Sequence, residues 1–149
     1  MAAFQFRLQR VLGLLQAERD ARAAALGRAQ AILSGAKDRR EQQRAAREGR
    51  LQAARGATGE RLDLDAWSSV QADYQGARRQ EAQAAADLSL AEAATTAAQG
   101  EYLEARRRGA VLDRLRERRH QQWRQGEAAA EQAELDEAGG RKGGGAGER

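Results

Sequence analysis

Few residues in this chain are equipped for chemistry. There is one histidine, His120, and there is no cysteine. A lone His builds neither a His-based catalytic pair nor a multi-His metal site, and a chain without Cys has no thiolate ligand and no disulfide. His120 stands among Arg118, Arg119 and Gln121 and reads as an exposed surface side chain. Two pairs of acids, Asp63 with Asp65 and Asp136 with Glu137, are close in sequence. On a helix surface such pairs serve solvation or capping more readily than proton transfer. Gly143-Gly-Gly-Ala-Gly147 is rich in glycine, but no strand precedes it and no Gly-Lys-Ser/Thr follows, so it is no phosphate loop. The expectation is a protein that is not an enzyme, with no cofactor, no metal and no small-molecule substrate.

The residues that remain are suited to binding. Arg106-Arg-Arg108 and Arg114-Leu-Arg-Glu-Arg-Arg119 are either a solvated helix face or a docking surface for an acidic partner. Arginine fits the second role because its planar fork pairs with a carboxylate through two hydrogen bonds. Phe4-Gln-Phe-Arg-Leu-Gln-Arg-Val-Leu-Gly-Leu-Leu15 is amphipathic and basic. It can lie on an anionic membrane, or Leu8, Leu12 and Leu15 can pack inside the protein. The second reading is preferred, with Phe4, Phe6, Val11 and Leu14 left over for contact with another protein.

The elements that carry these residues follow from composition. Aromatics are 4% of the chain, charged residues 32%, and there is no Pro; the mean hydropathy is −0.83. That profile suits long helices with a narrow seam between them, not a thick core. The length of 149 residues fits one domain. No run of about 18 apolar residues is present to span a membrane. The start lacks the features of a signal peptide. A cytosolic protein is expected.

Residues 4–56 read as one helix. Leu8, Leu12, Leu15, Leu26, Ala29, Leu33 and Ala36 follow at steps of three and four, the seam of a coiled coil. Arg19 and Arg22 interrupt it, and residues 37–50 are nearly all polar, with Ala46 and Leu51 the nearby apolar contacts. Gly13, Gly27, Gly35 and Gly49 each cost roughly 1 kcal/mol against Ala in a helix interior, so this helix needs a partner. A second helix, 66–138, carries two columns seven residues apart in period. One is Trp67, Tyr74, Glu81, Leu88, Thr95, Tyr102 and Gly109; the other is Val70, Ala77, Ala84, Ala91, Ala98, Ala105 and Leu112, with Leu115 beyond. Trp123 and Leu135 mark its later part, and Gly139-Gly-Arg-Lys-Gly-Gly-Gly-Ala-Gly-Glu-Arg149 reads as a flexible tail.

Between the helices, a turn at 57–65 follows Gly56, a candidate C-cap, and contains Asp63 and Asp65, candidate N-caps. Charge supports antiparallel pairing across it. Residues 1–57 carry net +7, 58–105 net −6 and 106–149 net +3, within a chain of net +4 and pI about 10.3. If residue i faces roughly residue 122 minus i, Leu8, Leu12 and Leu15 lie beside Leu115, Leu112 and Gly109. The basic 37–55 stretch then meets 67–85, which holds Asp73 and Glu81. The expected fold is all-α: a long antiparallel two-helix coiled-coil hairpin over residues 1–138, each arm about 75 Å long, with a disordered Gly-rich tail at 139–149.

Three short pieces resemble the FliJ family, the small coiled-coil component of the flagellar type III export ATPase complex. They are Phe4-Gln-Phe-Arg-Leu-Gln-Arg-Val-Leu12, the basic Leu112-Asp-Arg-Leu-Arg-Glu-Arg-Arg119, and Glu131-Gln-Ala-Glu-Leu-Asp-Glu137, in that order. The chain departs from the family in its many Ala residues and its Gly-rich end. The resemblance implies an antiparallel coiled coil like the stalk of rotary ATPases, seated in a hexameric flagellar export ATPase. It also implies contact with the membrane protein of the export gate and with flagellar export chaperones that have lost cargo, at the cytoplasmic face of the inner membrane. Val70, Tyr74 and Ala77 correspond to the family's gate-contacting face. Geometry and charge point to Phe4, Phe6, Arg7, Arg114, Arg116, Arg118 and Arg119 for contact with the ATPase ring. The equivalent stalk protein of a virulence-type secretion system is the alternative within this class. A basic coiled coil binding an anionic membrane or, less readily, nucleic acid is the alternative outside it.

Overall fold

The computed structural model describes residues 3–57 and 64–143, with residues 57 and 141–143 described by backbone alone. Two long helices are in contact: α1, Gln9–Ala57, and α2, Leu64–Gly143. Ala, Leu, Arg, Gln and Glu favour the helical backbone, and no Pro interrupts it. Arg55 in the last turn of α1 and Asp65 in the first turn of α2 each carry the charge that suits the helix dipole there.

The contacts divide the chain into two compact units. One is Asp20–Glu104; the other joins Met1–Arg19 with Ala105–Arg149. The first division falls at Arg19, where the sequence interrupts its apolar stripe.

In the 20–104 unit the seam is built from small residues. Ala36, Ala77, Ala84, Leu88 and Ala91 are buried, and Leu33 packs against Ala36, Leu88 and Ala91. An Ala column leaves room for the facing helix to come close. The helices run antiparallel, as three contacts show. Arg22 pairs with Glu101 at 2.7 Å, the Thr95 hydroxyl lies 3.3 Å from the Ala29 carbonyl, and Arg47 pairs with Glu81 at 3.1 Å. Thr95 also donates to the Ala91 carbonyl of its own helix at 2.8 Å, so its hydroxyl is satisfied inside the seam. Ala29 meets Thr95 two residues beyond the partner expected from the 122-minus-i register.

The polar run of α1 keeps the seam by other means than expected. Ala46 is exposed, while Gln43, Arg47, Leu51 and Ala54 are half-buried and continue the three–four spacing. Glu81, an acid in a seam column, is explained by Arg47 opposite it. Arg50 donates to the Asp73 backbone carbonyl at 3.1 Å, not to its carboxylate. Every member of the two α2 columns is buried or half-buried except Trp67, which is 43% exposed.

In the unit of 1–19 with 105–149, Leu12 is fully buried, Ala105 and Gly109 are buried, and Leu15, Leu112 and Leu115 are half-buried. Glu18 and Arg108 approach to 4.0 Å. The leucines expected in the seam here are thus buried or half-buried, except Leu8, which is 38% exposed.

The helix ends differ from expectation. α1 starts at Gln9, not residue 4: residues 3–6 are not helical, and the Gln9 amide donates to the Phe6 carbonyl at 2.9 Å. α2 runs to Gly143, past the end expected at 138. No described glycine has a positive φ, so neither Gly139 nor Gly140 forms the left-handed cap that would stop the helix, and Gly56 lies within α1 instead of capping it. Asp65 sits inside the first turn of α2, and the Ser68 hydroxyl donates to its carbonyl at 3.0 Å. Residues 58–63 of the expected turn, Asp63 among them, and residues 144–149 of the expected tail lie outside the described residues.

Two sets of substitutions test this packing. Ala91→Leu should overfill the seam and destabilise by about 1–3 kcal/mol, while Ala94→Leu, on the exposed side, should stay within about 0.5 kcal/mol; urea denaturation distinguishes them. A Cβ added at Gly27 or Gly49 meets nothing within 4 Å. Gly27→Ala and Gly49→Ala should each stabilise by about 0.5–1 kcal/mol, seen as a raised thermal midpoint.

Candidate partner-binding surfaces

The most developed surface belongs to the unit of 1–19 with 105–149. Residues 3–8 precede α1 and lie against α2. Phe4 anchors them, with its ring centroid 5.0 Å from that of His120 in an edge arrangement and 5.9 Å from that of Trp123. His120 and Trp123, three residues apart on one helix face, stack at 5.8 Å with 25° between their planes. Such aromatic contacts add about 0.5–1.5 kcal/mol beyond the area they bury. His120 is thus half-buried in an aromatic cluster and is not the free surface side chain that its arginine neighbours suggested.

This docking leaves a groove of about 870 Å³ between residues 4–8 and α2. Phe4, Phe6, Leu8, Leu115 and Trp123 supply its apolar lining, and Arg7, Arg119, Gln5 and Gln122 its polar rim. A second concavity of about 440 Å³ is lined by Phe4, Phe6, Arg7, Arg10 and Arg116, with Gln5 and Gln9. Of the residues expected to contact an ATPase ring, the structure brings Phe4, Phe6, Arg7, Arg116 and Arg119 around these two hollows. Arg114 and Arg118 are exposed elsewhere on α2 and line neither. Arg119 donates to the Gln122 side chain at 3.5 Å. An apolar floor with an arginine rim suits an acidic segment that carries apolar side chains. Val11 and Leu14, the other apolar residues left over at this end, are 44% and 70% exposed.

The expected gate-contacting residues lie in the 20–104 unit on the face of α2 turned to α1. Ala77 is buried, and Val70 and Tyr74 are half-buried. Trp67, one turn earlier, and Leu64 are the large apolar side chains exposed beside them. Among the described residues no group of three His, Cys, Asp or Glu side chains comes together. No described helix is long and apolar enough to cross a membrane.

The Phe4–His120–Trp123 cluster was within reach of the sequence. The three-residue step from 120 to 123 puts both rings on one face, and the antiparallel register sets Phe4 within a turn of them. In a Trp67→Phe background, Phe4→Ala should shift Trp123 emission to longer wavelength and lower stability by about 1 kcal/mol. Unchanged emission would contradict the docking of residues 3–8.

The sequence matches the family model described as Flagellar FliJ protein over residues 4–148. Comparisons with curated proteins and with solved structures gave no match. With the family model spanning nearly the entire chain and two long helices in contact behind it, the chain belongs to the FliJ family, the coiled-coil proteins of flagellar export.

Proposed function

We propose that this chain is an accessory protein of the flagellar type III export apparatus, a central stalk for the hexameric export ATPase that carries out no reaction itself. The observation that carries the reading is the family match over residues 4–148. Its flagellar description favours flagellar export over a virulence-type system. The ring contact is assigned to the arginine-rimmed grooves, where Phe4, Phe6, Arg7, Arg116 and Arg119 offer apolar and cationic contacts together; Arg114 and Arg118 add positive charge alongside. Arginine that must leave water to pair with a carboxylate gives orientation and specificity as much as affinity.

The gate contact is assigned to the stretch of α2 that begins at Trp67. Ala77 has almost no surface left, so the exposed parts of Trp67, Val70 and Tyr74 carry it. In this reading one protein touches both the ATPase and the gate at the cytoplasmic face of the membrane, hands on export chaperones released from cargo, and is needed for flagellum assembly and motility.

Co-purification with the export ATPase, followed by hydrolysis assays, tests the proposal. The wild-type chain should bind and promote ring assembly and turnover. Arg116→Glu with Arg119→Glu should weaken binding about tenfold or more while helicity is unchanged. Trp67→Ala with Tyr74→Ala should spare ATPase binding and impair motility. A chain that fails to bind the ATPase, or binds without effect on assembly or turnover, contradicts the proposal. Salt-dependent binding to DNA or anionic vesicles in its place would favour the other class.

A further inference from the structure

Among the described residues, the last part of α2 is open to solvent. Beyond Glu127, which is half-buried, every described side chain to residue 140 is exposed. This segment is acidic: Glu127, Glu131, Glu134 and Asp136 stand between residues 127 and 136 with no Lys or Arg among them. Gly139 and Gly140 weaken this end of the helix. The preceding stretch of the same helix is basic and lines the grooves through Arg116 and Arg119.

Acid and base share one stripe. Arg116, Arg119, Trp123, Glu127, Glu131 and Glu134 follow at steps of three or four residues, which places them along one side of α2. The order matters: positive first, aromatic in the middle, negative last. If a second copy of the segment is laid antiparallel about a centre near residue 125, Arg116 falls opposite Glu134 of the second copy and Arg119 opposite its Glu131. The same contacts recur with the copies exchanged, so the arrangement closes at two.

We propose that two copies of this chain associate through residues 116–134 of α2, the acidic stripe of each seated along the arginine-rimmed groove of the other. The contact covers an exposed helix face and neutralises Arg116 and Arg119. These are exposed ion pairs, each weak alone and screened by salt, so the dimer is salt-sensitive and reversible. It covers Arg116 and Arg119, the residues assigned above to the ATPase ring, and self-association therefore competes with that contact. The inference does not depend on the ring, because the full chain alone displays it.

Sedimentation velocity on the full chain in about 0.05 M and about 0.5 M salt tests it. The wild type should dimerise in low salt and dissociate in high salt. Glu131→Arg with Glu134→Arg should weaken self-association about tenfold or more, as should Arg116→Glu with Arg119→Glu. All four side chains are exposed, and circular dichroism checks that both variants keep wild-type helicity. Mixing the two variants should restore a dimer, since one then presents only bases and the other only acids at the facing positions. A wild type that stays monomeric in low salt, variants that associate like the wild type, or a mixture that stays monomeric would each overturn the proposal. So would a monomer that takes up a poly-glutamate peptide in place of its own copy.

Discussion

Close approach of α1 to the Ala column of α2 is the constraint on which the rest depends. The column offers few large apolar side chains, so burial per residue is small: a methyl group is worth under about 1 kcal/mol, where a buried leucine is worth about 1.5–3. α1 also carries four interior glycines. α1 is poorly equipped to be stable alone, and the seam supplies what its local propensity does not. Leu12, Leu33 and Leu88 are the larger members that fix where the small ones meet.

A seam of alanines specifies register weakly, because one methyl resembles the next after a shift of one heptad. The polar groups within it are less interchangeable. Arg47 and Glu81 meet at 3.1 Å with the Glu81 side chain only 19% exposed, and a slip would leave that carboxylate without its partner, at a cost larger than the pair's net contribution. Thr95 acts in the same sense through the Ala29 carbonyl. Polar residues in a coiled-coil seam commonly set register at some expense of stability.

Much of this was legible in the sequence because a helix pair leaves a periodic trace. The two α2 columns were readable from the persistence of a seven-residue period, and the pairing of 37–55 with 67–85 from charge. At 37–50 the seam of α1 is not apolar, and the three–four spacing alone leads to Gln43 and Arg47. Helix ends were less legible, since Gly56, Gly139 and Gly140 carry the residue type of a cap but keep helical backbone. The start of α1 was hidden for another reason. The register brings Phe4 near His120 and Trp123, but no local pattern says that the chain leaves the helix to meet them. That contact also forms the grooves, so the residues proposed to bind partners depend on packing more than one hundred residues distant in sequence.

The antiparallel register is most directly tested by disulfide trapping, for which a chain without cysteine is well suited. Cysteines replacing Ala29 and Thr95 should cross-link rapidly under mild oxidation, while cysteines replacing Ala29 and Ala98, nearly one helical turn displaced, should cross-link slowly. Faster trapping of the displaced pair, or equal trapping of both, would contradict the register on which this account of the seam rests.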